Sequence, residues 1–237
     1  MTLHQKSEEN NLSGLNVVYE DNHLIIVNKR PGDIVQGDKT GDMPLSEIVK
    51  QYIKIKYHKP GNVFLGVVHR IDRPTSGLVI FARTSKALTR LNKMLKNHEI
   101  KKTYWAIVKN PPPEKEGVLV HYLKKNSRKN ISTAYNKPVE GAKKAVLHYK
   151  LIASSENYHL LEIDLKTGRP HQIRVQLSKI GCPIKGDLKY GFPRSNKNKG
   201  ISLHARKIEL THPVKKEKMS LTAEPPADDI WHHFKGI

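Results

Sequence analysis

The sequence predicts an α+β fold, with a large, mixed but mostly antiparallel sheet flanked by helices and loops. Segments with strand character outnumber segments with helical periodicity, especially in the C-terminal half. Strands and helices also do not alternate one for one, as they would in a doubly wound parallel sheet. We expect one domain over residues 15–237, because this length suits a single core and the chain has no internal repeat.

The N-terminal half is expected to begin with a hairpin. Residues 1–14 are polar and are predicted to form a disordered extension, and two apolar runs then flank an Asp21-Asn22 turn. Apolar residues at helical spacing predict one helix after Pro44 and another after Thr84, with Thr84 or Ser85 as N-cap. The predicted strands of this half are 15–20, 23–29, 63–68 and 78–82.

The C-terminal half is expected to be richer in strands. Its predicted strands are 101–108, 145–153, 158–165, 202–210 and 219–223. Pro170 in a first turn and Gly181 at an end predict a helix over residues 170–180. A short helix over 226–234 closes the chain.

The charge balance predicts a polyanionic partner. Lysine and arginine number 42 against 22 acidic residues, which gives a formal charge of +20 with neutral histidines. A field of this size attracts RNA or DNA and makes binding depend on salt. The excess is distributed over the chain, although one cluster lies in the middle third, and a charge run of this kind is usually a solvated face. The members of the cluster are Lys124, Lys125, Arg128, Lys129, Lys137, Lys143 and Lys144.

Neither a cofactor nor a metal is expected. The histidines lack metal-binding spacing, and the glycine-rich stretch 32–40 places Asp38 where it would repel a bound phosphate. The single cysteine, Cys182, suits a reducing compartment, and no apolar run reaches the length of a membrane span or a secretory signal. We expect a cytoplasmic monomer that does not associate with membranes.

The most informative stretch is 68–82, where Asp72 lies between Arg70 and Arg73 in a turn containing proline and glycine, next to an apolar strand. A carboxylate that stays ionised beside cations at the end of a sheet can act as a nucleophile or a general base. The alternative is a surface turn in which Asp72 only caps its own backbone.

Five ordered motifs resemble the RluA family of RNA pseudouridine synthases. They are His69–Leu78, the segment from Tyr19 to Lys29, Lys102–Ala106, Thr167–Val175 with the following Gly181–Gly191 loop, and Leu203–Ala205 with Thr211–Pro213. Together they span residues 15–225. The departures from the family pattern are Ile71, Pro170, Gln176 and Cys182, and Pro170 lies in the loop beside Arg174.

The resemblance implies a pseudouridine synthase fold and the isomerisation of uridines in ribosomal or transfer RNA, with no cofactor. It implies that Asp72 is the nucleophile, that Arg174 forms a salt bridge with it, and that Tyr104 stacks on the uracil and helps to remove the C5 proton. The target base would flip out of its stack, and Arg70 would fill the vacated space. The remaining site residues are His69, Arg73, Arg169, His171 and Gln172 for RNA contacts, and Ile173 and Leu203 for the base pocket. No S4 module is expected before the catalytic domain.

The sequence leaves three matters open. It does not identify the RNA or the uridine, and it does not decide whether Asp72 attacks C1′ of the ribose or C6 of the base. A non-catalytic basic RNA-binding or ribosome-associated protein is one alternative. An RNA-directed hydrolase with Asp72 as general base is another.

Overall fold

A computed structural model describes residues 14–38, 40–234 and 236. The predicted extension 1–14 therefore lies outside the described residues, apart from Gly14. One sheet of eleven strands forms the centre of the protein. Its strands are β1 (Val17–Glu20), β2 (Leu24–Lys29), β3 (Gly66–Val67), β4 (Ser76–Ala82), β5 (Lys101–Val108), β6 (Glu116–Asn126), β7 (Ile131–Tyr135), β8 (Lys143–Ser154), β9 (His159–Leu165), β10 (Leu203–Thr211) and β11 (Lys218–Thr222).

The helices are few, as expected for the α+β class. They are α1 (Leu45–Lys56), α2 (Ser85–Lys96), α3 (Gln172–Lys179) and α4 (Asp229–His232), with a 3₁₀ turn at Leu188–Tyr190. The main strand order is β1-β2-β4-β10-β5-β9-β8-β6-β7, and the described pairings are antiparallel except between β4 and β10. The prediction of a mixed, mostly antiparallel sheet is confirmed.

The parallel pair β4–β10 joins the two halves of the sheet. Its register brings His204 opposite Ser76 and Ala205 opposite Gly77. Gly77 has φ 112°, and a Cβ atom there would clash with the backbone of Ala205. Glycine at this position therefore allows both the left-handed backbone and the close approach of the two strands.

In the N-terminal half, α1 and α2 cover opposite faces of the sheet. The side chains of β2 and β4 alternate, so that Leu78 and Ile80 pack with α2, whereas Val79 and Phe81 pack with α1. The continuous apolar run of β4 is explained by this burial on both faces. Thr84 is the N-cap of α2, since its hydroxyl accepts a hydrogen bond from the Ala87 amide at 3.2 Å.

In the C-terminal half, α3 packs on one face of β5, β9 and β10, through Ile173 and Leu177. The opposite face holds Trp105 of β5 against Trp231 of α4. No helix in the described part of the chain is long and apolar enough to span a bilayer.

The structure corrects several boundaries. The hairpin β6–β7 was not predicted, and β3 has two residues rather than the six expected over 63–68, where Phe64 is exposed. The helix expected over 170–180 begins after His171, because the left-handed backbone of that residue (φ 55°) separates Pro170 from α3. The closing helix is also shorter than the predicted 226–234.

Candidate active site

All predicted site residues line one cleft of about 1130 Å³. The cleft lies where the loop between β3 and β4 meets β5, α3 and the start of β10. Its residues include Asp72, Tyr104, Arg174, Arg70, His69, Arg73, Arg169, His171, Gln172, Ile173 and Leu203. Residues far apart in sequence are therefore brought to one place by the sheet order. No group of three metal-ligating side chains occurs among the residues that the structure describes.

Asp72 lies on the turn before β4, where its backbone carbonyl accepts a hydrogen bond from the Thr75 amide at 3.0 Å. Its carboxylate accepts a hydrogen bond from Nη1 of Arg174 at 3.0 Å, and the side chain is 27% exposed. Within the described residues this carboxylate does not cap its own loop. The arrangement favours the interpretation of Asp72 as a site residue, held beside a cation and open to the cleft.

Arg174 is held from behind by Asp187, a residue that sequence reasoning did not select. Nε and Nη2 of Arg174 donate to the two carboxylate oxygens of Asp187 at 2.7 and 2.8 Å, and both side chains are buried. The guanidinium also lies over the ring of Tyr190, 5.0 Å from its centroid. Burial opposes the positive charge, but the bonds and charges of Asp187 and Asp72 outweigh it and raise the pKa of Arg174 above its ordinary value.

Tyr104 of β5 forms one wall of the predicted base pocket. It packs in the same cluster as Ile173, Leu203 and Ile71, and only 7% of it is exposed. Burial first, and then the nearby charge of Asp72, raises the pKa of the Tyr104 phenol above its ordinary value. The phenol therefore keeps its proton at neutral pH, and Tyr104 lines the same cleft as Asp72.

The arginines expected to contact RNA are accessible. Arg70 and Arg73 are exposed, and Arg73 forms an ion pair with Asp42 at 2.7 Å. Arg169 is partly exposed and donates from Nε to the carbonyl of Lys144 at 3.0 Å. The cleft also contains lysines that were not selected as site residues, namely Lys96, Lys101, Lys102, Lys125, Lys166 and Lys189.

His69 and Gln172 line the cleft but have mainly internal contacts. Nε2 of His69 accepts a hydrogen bond from the Ile80 amide at 3.2 Å, and burial, with the charge of Lys102, lowers its pKa to about 3. Gln172 is buried; its carbonyl oxygen accepts from the Thr167 hydroxyl at 2.8 Å and from the Arg169 amide at 3.0 Å. These bonds favour a role in bracing the loop, and RNA contact by either residue stays a prediction.

Lys29, at the end of β2, supports the turn that carries Asp72. This lysine is buried, and its ammonium donates to the carbonyls of Arg30, Asp33 and Arg73 at 2.9, 2.8 and 3.0 Å. Burial lowers its pKa to about 8, so the group remains largely charged at neutral pH. A buried lysine at the end of an apolar strand is a signal that sequence reasoning quoted but did not interpret.

The family model and the similar proteins all indicate the same family. Residues 23–179 match the family described as RNA pseudouridylate synthase, a region that contains Asp72, Tyr104 and Arg174. Ribosomal large subunit pseudouridine synthase D of Haemophilus influenzae is 34% identical over 232 residues, covering 91% of this chain and 69% of the relative. tRNA pseudouridine synthase C of Vibrio parahaemolyticus is 32% identical over 238 residues, covering 93% of each chain.

The fold comparison agrees. The structure of human RNA pseudouridylate synthase domain containing 4 has a TM-score of 0.78 and covers 95% of this chain and 94% of its own, at 22% identity. Together the findings define the class as an isomerase that acts on RNA. The chain belongs to the RNA pseudouridylate synthase family and is of the RluA type that its motifs predicted.

Proposed function

We propose that this synthase uses Asp72 as the nucleophile on a uridine of ribosomal or transfer RNA that is flipped into the cleft. The observation that carries the proposal is the chain of charges from Asp72 through Arg174 to Asp187 in the cleft. In the reaction the bond between N1 and C1′ breaks, the uracil rotates, and a bond forms between C5 and C1′. The C5 proton leaves, N1 gains a proton, and the product has the mass of the substrate.

The geometry supports an ionised, reactive Asp72. Asp187 takes two of the hydrogen bonds of Arg174, so this guanidinium is fixed before substrate binds and presents one N–H to Asp72. A cation held in place stabilises the carboxylate without a reorganisation of the site during the reaction. Because the side chain of Asp72 is partly exposed, its other oxygen is accessible to the target nucleotide.

Base flipping is supported by the walls of the cleft. Removing a base from its stack costs a few kcal/mol, and stacking on an aromatic ring recovers about 1–3 kcal/mol per base. The ring of Tyr104, with the apolar side chains of Ile173 and Leu203, supplies such a surface beside Asp72. Arg70 lines the cleft and is exposed, and in this proposal it fills the space left in the RNA. All these residues come from one chain, and we propose that the domain acts as a monomer.

The RNA classes come from the relatives, whose names specify the ribosomal large subunit and tRNA. The decisive experiment is chemical mapping of pseudouridine across total RNA from cells with and without the gene. We expect one or a few sites to disappear and to return when the gene is restored. A cleaved or abasic RNA would support the hydrolase alternative, and an unchanged map would support the non-catalytic one.

RNA affinity is expected to fall steeply with salt. The chain carries a net +20, and the cleft is lined by lysines and arginines that displace counterions from phosphates. If about five phosphates are neutralised, the affinity should fall by about 100-fold or more between 50 and 200 mM salt. Binding isotherms of a structured target RNA at several salt concentrations measure this slope. A flat dependence over that range would contradict the electrostatic explanation.

Replacing Tyr104 with phenylalanine is expected to slow product formation while leaving RNA affinity unchanged. The substitution keeps the stacking ring and removes the hydroxyl. We propose that this neutral hydroxyl helps to take the C5 proton as a relay, in which its oxygen accepts that proton while its own proton passes to water. We expect the single-turnover rate to fall by about 10²- to 10⁴-fold, the range for loss of one proton-transfer group. Rate and affinity are measured on the same RNA. A wild-type rate would leave Tyr104 with stacking alone and assign proton removal to Asp72 or water.

A further inference from the structure

His171 occupies an unusual position at the start of α3. Its backbone is left-handed, with φ 55° and ψ 23°, a conformation that residues other than glycine adopt infrequently. Its side chain does not cap the helix, although His171 is at the N-cap position. The residue is only 9% exposed, yet it lines the cleft. A strained backbone that holds an imidazole in a cleft points to a role for the imidazole itself.

The hydrogen bonds around Tyr190 favour one position for the proton of His171. The Ser132 amide donates to the Tyr190 hydroxyl oxygen at 2.8 Å, and that hydroxyl lies 2.8 Å from Nδ1 of His171. The proton of the hydroxyl gains an acceptor if it is donated to Nδ1, which requires that Nδ1 carries no proton. This arrangement favours the neutral tautomer with the proton on Nε2.

Nε2 is available to a ligand. It makes no hydrogen bond within the described part of the chain, and it is not among the buried polar atoms that lack a partner, so it is accessible from the cleft. Burial lowers the pKa of His171 to about 4; the charge of Asp72 opposes this effect, and those of Arg174, Lys125 and Lys189 add to it. The imidazole is therefore neutral at pH 7, with one N–H group facing the cleft.

We propose that His171 binds the target nucleotide, with Nε2–H donating a hydrogen bond to an acceptor oxygen next to Asp72. In this arrangement Ser132 and Tyr190 are positioning residues that hold the proton on Nε2. The inference rests on the proposed function and deepens it, since it adds a donor that recognises the flipped uridine. The acceptor is an oxygen of the nucleotide, either a uracil carbonyl or the ribose 2′-hydroxyl.

Two substitutions of His171 test the roles of its two ring nitrogens separately. The amide nitrogen of glutamine can occupy the place of Nε2, whereas that of asparagine corresponds to Nδ1. We expect His171→Asn to lower the single-turnover rate by about 10²- to 10³-fold, as loss of one active-site donor does, and His171→Gln to retain most of the rate. Thermal unfolding of both variants reports any loss of stability. Equal losses in the two variants, or no loss in His171→Asn, would overturn the proposal.

Substrates with 2′-deoxyuridine at the target position identify the acceptor. If the 2′-hydroxyl accepts, the penalty of His171→Asn should disappear on the deoxy substrate, because the interaction is already absent. If a uracil carbonyl accepts, the penalty should persist. Either result is compatible with donation by His171, provided that the penalty exists on the uridine substrate.

The tautomer can be observed without RNA. Nitrogen NMR of the ¹⁵N-labelled protein should show one histidine, absent from the spectrum of His171→Gln, that keeps the Nε2–H tautomer from pH 8 down to about 5. Tyr190→Phe should weaken the tautomer preference. Protonation near the ordinary pKa of 6.5, or an Nδ1–H tautomer, would overturn the inference. This readout stands even if the purified enzyme forms no pseudouridine, a result that would count against the proposed function instead.

Discussion

Asp72→Asn is expected to abolish pseudouridine formation while the protein still folds and binds RNA. Asparagine keeps the volume of the side chain but loses the anionic oxygen that we propose as the nucleophile. The fold should tolerate the change, because Asp72 is partly exposed and Arg174 keeps both hydrogen bonds to Asp187. Loss of a catalytic nucleophile costs about 10⁶-fold in rate in a well-characterised serine protease, and we expect a loss of at least about 10⁴-fold here. Nucleoside analysis of digested RNA measures the product.

The cleft offers a matched control for this variant. Asp164 also lines the cleft, but its carboxylate is about half exposed and pairs with Lys166. Asp164→Asn removes the same charge and should leave the chemical step unchanged. Preparations of Asp72→Asn must be shown by mass spectrometry to contain no deamidated protein. Measurable turnover in such a preparation would exclude Asp72 as the nucleophile.

The second large effect is expected for Arg174→Lys, which should damage the chemical step more than RNA affinity. A lysine keeps the charge, but its single ammonium cannot reproduce the planar set of donors that reaches Asp72 and both oxygens of Asp187. We expect the single-turnover rate to fall by about 100-fold or more, as loss of a preorganised charge does. Stability should decrease as well, because Asp187 would keep a buried carboxylate with fewer partners.

Asp187→Asn tests the same interaction by changing the partner of Arg174. It leaves Arg174 in place but removes the carboxylate that fixes it, and we expect a rate loss in the same direction. Arg73→Lys is the control, because Arg73 is exposed and has one ion pair, with Asp42. That control should affect affinity only slightly. Unchanged single-turnover rates in Arg174→Lys, with weaker RNA binding, would instead make Arg174 a phosphate contact.

The secondary-structure elements that were predicted correctly are those marked by local sequence patterns, such as an alternating strand or a helix cap. Strand β5 was predicted with the bounds that the structure gives, and Thr84 is a cap as its position before an apolar periodic run indicated. The hairpin β6–β7 was missed because the end of β6 and the connection to β7 are basic and polar, and because several apolar residues of β6, such as Val118 and Val120, face solvent. A strand with an exposed, charged face resembles a loop in sequence.

The site residues that were predicted from the sequence are those that lie in short sequence motifs. The motifs placed Asp72, Tyr104 and Arg174, and the structure brings them to one cleft. They did not indicate the roles of Asp187 or Lys29, because each acts through bonds to residues distant in sequence or to backbone carbonyls. Interactions between residues distant in sequence leave no periodic pattern in the sequence. The roles of a buried acid and a buried lysine can therefore be recognised only once their partners are known.

The position of β10 determines when, during synthesis of the chain, the sheet can be completed. This strand is the last long one in the chain, yet it lies between β4 and β5 in the middle of the sheet. A nascent chain that ends before Leu203 lacks the strand that joins its two halves, and Asp72 and Arg174 belong to different halves. Contacts of such high sequence separation form late and slow down folding. The cleft in which Asp72 meets Arg174 is therefore complete only when the chain has been made nearly to its end.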